Sequence, residues 1–363
     1  MTSRERLLAA FQLQPVDRVP IQIRGVRAWD QAWCESRHSS YRPLIDAVTA
    51  HGDYEEVVGF ASGDFCSAAQ LPTDSWTEER GDWVAHFRVV HTPRGDLRTV
   101  SMASKSGMPG MQTEFMVKSL DDFDKVLSVP YEPVLPDLTP YFDKDRDMAD
   151  RGIVLCDLPT PITLLHTLMG SERLAIWSLT DRDRLLELLW TLQRRCLDTL
   201  DHALAQGVRL FAMVGEEYVT PPLHSAKDFR AFAVEPEVEY GRRIHAAGGL
   251  LHIHCHGPLA AVLEDFIEIG ANCLHPLEAP PMGDVTIEEA KRRIGHAICL
   301  QGNIQIGDIY AGKTADLVAQ VKHNLEVTGG QGYSLCPTAS PHTPVLEDLT
   351  VRNYLAVIEA ALD

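Results

Sequence analysis

The sequence predicts a single (β/α)8 barrel domain, in which eight parallel strands form a central barrel and helices cover it. From residue 150 onward, short apolar runs alternate with amphipathic stretches and are joined by short connections. About eight such runs can be counted, as a closed barrel requires. An open doubly wound sheet is the competing fold, but no G-x-G-x-x-G segment follows an early strand.

The N-terminal part of the chain is predicted to add a helix and a β-hairpin to the barrel. Thr2 and Glu5 have the spacing of a capping box and precede an apolar helical pattern, so a helix should begin there. The runs RVPIQI and EVVGF follow as the first two strands. Residues 82–104 alternate on both sides of a turn at 93–96, which predicts the hairpin.

The rest of the chain supplies the remaining strands and helices. Helical patterns cover residues 171–207, with a break near 178–180, the stretch that ends at Gly248-Gly249, and LAAVLEDFIEIG. The proline-rich YEPVLPDLTPYF is too short to separate domains, so one domain should span residues 1–363. The further strands are predicted at GIVLCD, VRLFAMVG, LLHIHCHG, ANCLHPLE, HAICLQGN and GYSLCPT.

Composition limits the classes of partner. The 363 residues are 45% hydrophobic, enough for a large core, and carry a formal net charge of -18. Such an acidic chain is not expected to bind nucleic acid or anionic membranes through bulk charge. No apolar run has the length of a membrane helix or a secretory leader. The eight cysteines include no C-x-x-C pair, so we expect reduced thiols and a cytoplasmic protein.

The stretch LLHIHCHGPL, residues 250–259, is the strongest indication of a functional site. Alternation along a strand places His252, His254 and His256 on one face, while the residues between them are apolar and suit a helix-covered face. The strand ends at Gly257, so His254 and His256 should lie at the barrel mouth, where barrel enzymes place their active sites. Two imidazoles spaced in this way can bind one metal ion, whereas His252 is expected to be an ordinary buried histidine.

A third metal ligand is predicted at Cys336, which ends the last predicted strand. Strand ends of one barrel meet at the same mouth, so this thiol could reach the two histidines. Thiolate and imidazole together suit zinc, and catalytic zinc keeps three protein ligands and one open position. The alternative is that Cys336 is an ordinary core residue.

Further candidates end the neighbouring strands. Glu217 follows VRLFAMVG and could be a general acid or base, a zinc ligand or the partner of a histidine; the alternative is a solvated loop carboxylate. Tyr218 is expected to line the pocket. Glu278 and Asn303 end the next two strands and are predicted to contact the substrate, whereas Asp157 is a less favoured candidate.

Nearly the whole chain resembles the uroporphyrinogen decarboxylase superfamily. The resemblance is carried by TSRERLLAAFQLQPVDRVP, HAAGGLLHIHCHG, LQGNIQIGDIYAGKTADLVAQVK and PHTPVLEDLTVRNYLAVIEAALD. It implies a (β/α)8 barrel and one of two activities. One branch decarboxylates uroporphyrinogen without a metal, and the other comprises zinc-dependent methyltransferases that work with corrinoid proteins.

The chain is more similar to the methyltransferase branch. It has IQIRGVRAW where the decarboxylases have R-x-x-R-Q-A-G-R, and Pro337 replaces the histidine of their late G-H-G. The methyltransferases carry H-x-C near one strand end and a distant cysteine. His254 and Cys336 match the first and last of these ligands, while His256 stands in the place of the middle cysteine.

The resemblance implies a methyl transfer between a methylated small molecule and a corrinoid protein. Because the chain has no D-x-H-x-x-G motif, the cobalamin should be carried by a separate protein. One thiolate and two imidazoles would leave zinc more positive than two thiolates would, which favours an oxygen-linked methyl donor over a thiol. The alternatives are a metal-free decarboxylase, which metal content would distinguish, and a non-catalytic ligand-binding barrel, which turnover would distinguish. The methyl donor, the direction of transfer and the oligomeric state stay open.

Overall fold

The computed structural model describes residues 1–106, 108 and 110–363, and these form strands and helices that alternate from β6 onward. The strands are β1 Tyr54–Val58, β2 Thr73–Arg80, β3 Trp83–Thr92, β4 Gly95–Ser104, β5 Met111–Glu114, β6 Gly152–Asp157, β7 Leu210–Val214, β8 Leu250–His254, β9 Cys273–His275, β10 Cys299–Ile304 and β11 Tyr333–Pro337.

The helices follow the strands in the order that a parallel sheet requires. They are α1 Ser3–Phe11, α2 Gln31–Ser36, α3 Arg42–His51, α4 Leu120–Leu127, α5 Thr139–Met148, α6 Pro161–Thr180, α7 Arg182–Ala205, α8 Ala226–Phe229, α9 Glu235–Ala246, α10 Asp265–Ile269, α11 Ile287–Arg293, α12 Ile306–Ala311, α13 Thr314–Thr328 and α14 Asp348–Leu362. Single turns of tighter or wider helix lie at Ser39–Tyr41, Ala149–Arg151, Glu216–Val219 and Arg230–Val234.

The centre of the fold is a curled parallel sheet of seven strands in the order β1-β6-β7-β8-β9-β10-β11. The predicted RVPIQI strand is reduced to one bridging residue, Ile21, which pairs in parallel with Leu335 of β11. Backbone bonds run from Gln22 N to Leu335 O (2.9 Å) and from Asp53 N, just before β1, to Ile21 O (2.8 Å). This segment therefore joins the two edge strands, and the α/β fold is TIM-barrel-like.

Helix α1 covers the N-terminal end of the curled sheet. It begins with the predicted capping box, in which Thr2 and Glu5 bond reciprocally at 3.1 and 2.9 Å. Leu7 and Phe11 are buried and pack against Ile153, on β6, and other residues that line the inside of the sheet. Burial of this apolar face stabilises the helix on the barrel.

Two regions differ in detail from the sequence-based expectation. The hairpin is formed by β3 and β4, with Thr92 paired to Gly95, and it belongs to a four-stranded antiparallel sheet in the order β2-β3-β4-β5. The helix expected from residue 171 begins ten residues earlier, because α6 starts at Pro161 and continues through a kink at Gly170 (φ 74°). Its expected break lies at Asp181, between α6 and α7.

Within the described part of the chain, no helix combines the length and the apolar character needed to cross a bilayer.

Candidate functional site

The three histidines of β8 and its C-terminal extension lie at increasing height in the barrel. His252 is 2% exposed, its Nε2 lies 2.8 Å from Gln301 Oε1, and its ring stacks 6.0 Å from that of Phe11 in α1. His254 and His256 lie further along, with ring centroids 4.7 Å apart and planes nearly perpendicular. His252 is thus a partnered histidine inside the barrel, and the other two are near its mouth.

His254 is bonded to a histidine that the sequence analysis did not single out. His275 ends β9 and is the register partner of His254, and their Nδ1 atoms lie 2.8 Å apart. His275 Nε2 lies 3.1 Å from the carbonyl oxygen of Pro337. Burial, together with the nearby positive charge of Arg24, lowers the pKa of His254 to about 2 and that of His275 well below its usual value. Both imidazoles are therefore neutral at pH 7.

His256 is bonded to a carboxylate instead. Its Nδ1 lies 3.1 Å from Glu278 Oε2, which also accepts from the N–H of Gly257 at 2.9 Å. Gln305 donates to the other carboxylate oxygen at 3.3 Å. Burial favours protonation of Glu278, but the hydrogen bonds from His256 and Gly257 outweigh it and lower its pKa. Glu278, predicted to contact substrate, is placed as the partner of His256.

Cys336 and Asn303 are register partners on β11 and β10, but their side chains have different neighbours. The Cys336 thiol is fully buried and donates to Gln22 Oε1. Burial raises its pKa, so the thiol holds its proton at pH 7. Asn303 accepts from Asn324 Nδ2, on α13, at 2.8 Å. The structure therefore places the Asn303 side chain against a covering helix.

The predicted metal ligands are not gathered into one tight cluster. Among the described residues, Glu216, Glu217 and Cys255 form the one group of at least three Asp, Glu, His or Cys donors that lie within 4.8 Å of one another. His254 and His256 are neighbours, whereas Cys336 is separated from them by β9 and β10. The three-residue ligand set remains a prediction.

The turn after β7 presents Glu217. Gly215 adopts φ 117°, and a Cβ there would lie 2.1 Å from Thr163 Oγ1, so the turn requires glycine. The Gly215 N–H donates to Glu217 Oε2 at 3.2 Å. Burial raises the pKa of Glu217, and the nearby charge of His256 partly opposes that rise. Glu217 is thus a half-buried carboxylate close to His256.

Tyr218 lies in the same turn and packs on a histidine of α6. Its ring stacks on His166 with centroids 3.6 Å apart and planes 6° apart. His166 Nε2 in turn lies 3.1 Å from Ser171 Oγ. Burial, followed by the charges of Glu217 and Glu216, raises the pKa of Tyr218. Tyr218 is therefore a neutral, half-buried aromatic residue, as a pocket wall requires.

A second polar cluster lies between the sheet and the helices, behind the histidines. Glu216 and Glu237 are fully buried, and no described residue outside this pair donates a hydrogen bond to their oxygens. Burial raises the pKa of Glu216 to about 8 and that of Glu237 well above its usual value. The carboxyl groups interact with each other, which requires a proton on at least one of them. Cys255 lies beside Glu216 and Glu217, with ligand atoms of the three residues within 4.8 Å of one another.

Two groups near the mouth had little or no signal in the sequence. Asp157 ends β6, and burial raises its pKa to about 6, so it can carry a proton near neutral pH. Arg24 follows the segment that bridges β11 and β1, and its charge acts on His254, His275 and Cys336. The position of Asp157 at a strand end could have identified it. Arg24 has no such signal, because the segment before it pairs with the sheet through a single residue, Ile21.

The residue types fit zinc. The Nδ1 atoms of His254 and His256 are both engaged, and no described residue bonds to either Nε2, so Nε2 is the nitrogen of each ring that could bind a metal. Both histidines are held by partners that fix the ring, as is usual for metal ligands. Cys336 would have to exchange its bond with Gln22 and lose its proton in order to bind.

Two solved structures align with nearly the whole of this chain. A methyltransferase from Methanosarcina mazei superposes with a TM-score of 0.63 at 16% identity, over 99% of this chain and 98% of that one. A B12-independent methionine synthase from Shewanella sp. W3-18-1 gives a TM-score of 0.41 at 12% identity, over 95% and 94% of the two chains. No curated protein matches the sequence. Residues 99–351 match the family model for uroporphyrinogen decarboxylase (URO-D), and the chain therefore belongs to that family.

Proposed function

We propose that this protein is a zinc-dependent methyltransferase that moves a methyl group between a methylated small molecule and the cobalamin of a separate corrinoid protein. The observation that carries the proposal is the pair His254 and His256, which lie side by side with Nδ1 bonded and Nε2 available. A metal-free decarboxylase has no need of two such lone pairs. The structural similarity to a methyltransferase supports the same branch of the family.

The residues of the mouth have separable tasks in this proposal. His254, His256 and Cys336 would hold the zinc, and Glu278 would keep His256 oriented through its hydrogen bond. Bound zinc would supply Lewis acidity to the heteroatom that carries the methyl group, and cob(I)alamin would supply the nucleophile. We prefer an oxygen-linked methyl donor, with a thiol as the alternative.

Glu217 would donate a proton to the oxygen from which the methyl group departs. When a methyl group leaves an ether oxygen, that oxygen acquires negative charge, and a nearby acid can neutralise it. The raised pKa of Glu217 keeps part of its population protonated closer to neutral pH than an exposed glutamate would be. Tyr218, stacked on His166, would form an aromatic wall beside it. The substrate contacts proposed for Asn303 would require its side chain to leave Asn324.

The partner must reach the mouth of the barrel. Because cobalt has to approach the methyl carbon closely, the rim formed by the strand ends would be the docking surface for the corrinoid protein. We propose a cytoplasmic location for the pair, in line with the reduced cysteines.

Metal analysis and a methyl-transfer assay test the proposal together. Purified protein should contain one zinc per chain after zinc-supplemented expression. Mixed with reduced corrinoid protein, or with free cob(I)alamin, and a panel of methoxylated aromatics and methyl thiols, it should form methylcobalamin, seen by absorbance. Loss of carbon dioxide from uroporphyrinogen without any methyl transfer would favour the decarboxylase. Ligand binding without turnover would favour a non-catalytic barrel.

A further inference from the structure

We propose that His275 is a positioning residue that fixes the tautomer of His254, with the proton on Nδ1 and the lone pair on Nε2. This inference rests on the proposed zinc function for its purpose, although the tautomer itself can be measured without metal. His275 lies behind His254 on the neighbouring strand, and His254 is the one predicted zinc ligand among its hydrogen-bond partners in the described residues.

The first step is the proton on His275. Its Nε2 lies 3.1 Å from the backbone carbonyl of Pro337, and a carbonyl oxygen can only accept. The bond therefore requires a proton on Nε2. A bare Nε2 would place two lone pairs against each other in a fully buried site, which is costly.

The second step is the Nδ1 atom of His275. A second proton there would make a buried imidazolium, and none of the hydrogen bonds of His275 among the described residues reaches a carboxylate. His275 is therefore neutral, and its Nδ1 is an acceptor. In the 2.8 Å contact, His254 must then be the donor, with its proton on Nδ1.

The third step is that the His275 ring cannot easily turn away. It is fully buried between two histidines of β8, with the His254 ring 4.9 Å and 21° away and the His252 ring 6.3 Å and 26° away. The backbone carbonyl of Pro337 sets which nitrogen of His275 carries the proton, and no side-chain rearrangement removes this carbonyl. The two hydrogen bonds therefore run in one direction: His254 donates to His275, and His275 donates to the carbonyl oxygen of Pro337.

The consequence concerns metal binding. A histidine ligand must present an unprotonated nitrogen, and a partner on its other nitrogen selects which one that is. His254 therefore offers Nε2 before any metal arrives. Loss of such a partner weakens metal affinity by roughly 10- to 100-fold in known sites.

Two substitutions separate the chemistry of His275 from its bulk. His275→Phe keeps a ring but removes both nitrogens, so His254 loses its acceptor. His275→Gln can restore the polarity, because its amide N–H can donate to Pro337 O while its amide oxygen accepts from His254. His224→Phe is the matched control, since His224 is also buried and its Nε2 has no partner among the described residues.

The readouts are zinc affinity, by competition with a chromophoric chelator, and the His254 tautomer, by long-range proton–nitrogen NMR of metal-free protein labelled with 15N-histidine. His254→Gln assigns the signal. We expect wild type and His275→Gln to hold the proton on Nδ1 of His254, and His275→Phe to lose that preference and bind zinc about 10- to 100-fold more weakly. The control should match wild type in both measurements, with circular dichroism confirming folding.

The outcomes distinguish this inference from the proposed function. A wild-type His254 with its proton on Nε2 overturns the inference whether or not zinc binds, as does equal zinc affinity in wild type and His275→Phe. A His275→Gln variant that folds but behaves as His275→Phe also overturns it. If wild type binds no zinc and still shows the Nδ1 proton, the tautomer stands and the zinc function fails.

Discussion

Near the ends of β7 and β8, the polar groups on the barrel side of the sheet and those on its helix side differ in their hydrogen bonding. On the barrel side, His254 and His256 each have one nitrogen bonded and one available. On the helix side, the oxygens of Glu216 and Glu237 receive no hydrogen bond from any described residue outside this pair. Both clusters are polar, and they are adjacent in the chain, because Cys255 lies between His254 and His256 and Glu216 precedes Glu217.

The difference shows what each cluster can do. Burying an unpaired charge is very unfavourable, so an isolated buried group stays neutral by losing or keeping a proton. Burial keeps the His254 imidazole of the barrel side neutral, and a neutral imidazole has a lone pair that can bind a metal. The carboxyl groups of the helix side become neutral by keeping a proton, so a cation could bind there only by displacing it. A neutral imidazole on the barrel side is thus ready to bind a metal, whereas the helix-side carboxyl groups are not at neutral pH.

The largest effect should come from removing an imidazole on the barrel side. His256→Ala deletes a predicted ligand and leaves Glu278 without its partner. We expect zinc affinity to fall by more than the roughly 10- to 100-fold caused by losing only a ligand's hydrogen-bond partner. Metal analysis after dialysis against a chelator measures it, with the exposed His296→Ala as control. Equal zinc in wild type and His256→Ala would break the distinction between the two sides.

The next effect concerns proton transfer at the mouth. Glu217→Gln removes the acid but keeps the size of the side chain, so kcat should fall by about 100-fold or more, as general acid–base catalysis allows. The melting temperature should stay near that of wild type, because the Gly215 N–H can still donate to the amide oxygen. Glu326→Gln, on an exposed face of α13, is the control. A variant with full activity would remove Glu217 from the mechanism.

A smaller effect, on stability, should come from the helix side. Because folding raises the pKa of Glu216 to about 8, the folded state holds a proton that the unfolded state releases near the ordinary value of 4.5. This stabilisation is complete below that ordinary value and is lost as the pH rises through about 8. Each retained proton gives a slope of about 1.4 kcal/mol per pH unit between these limits.

Glu237→Gln should reduce that slope, because Glu237 also has a raised pKa in the folded state and the amide carries no titrating proton. Urea unfolding at several pH values from 5 to 8 measures the change, and Glu235→Gln, at an exposed position of the same helix, is the control. An unchanged slope in Glu237→Gln would mean that the helix-side carboxyl groups do not retain their protons.

The same contrast explains what the sequence could predict. Period-two alternation and strand-end position predicted that His254, His256 and Glu217 lie at or just beyond strand ends, as they do, because this placement depends on local pattern, while their roles stay predictions. The parallel α/β sheet was also predicted, and the family is confirmed. The identity of hydrogen-bond partners depends on register between strands. The pairing of His254 with His275 therefore could not be read from a run such as CLHPLE.

Two other residues show why local pattern is insufficient. Glu237 lies in an amphipathic helix, where a glutamate is usually solvated, and tertiary packing makes it fully buried. Asn303 shares the alternation of Gln301, which bonds to His252 inside the barrel. Gly302, with φ 146°, interrupts the alternation between them, and the Asn303 side chain reaches α13. Such a break depends on backbone conformation that a sequence pattern does not specify.

The smallest effect tests the edge of the barrel-side site, at Tyr218. Tyr218→Phe keeps the ring that stacks on His166 and removes only the hydroxyl group, so the pocket wall should survive. If the hydroxyl donates one hydrogen bond to the substrate, its loss costs about 1 kcal/mol and raises KM about fivefold, with little change in kcat. Tyr218→Leu removes the stacked ring as well and should raise KM further. If the ring only supports the fold, Tyr218→Leu should instead lower the melting temperature and leave KM unchanged. Steady-state kinetics at saturating corrinoid protein separates the two roles, because an effect confined to binding appears in KM for the methyl donor and vanishes when that donor saturates the enzyme.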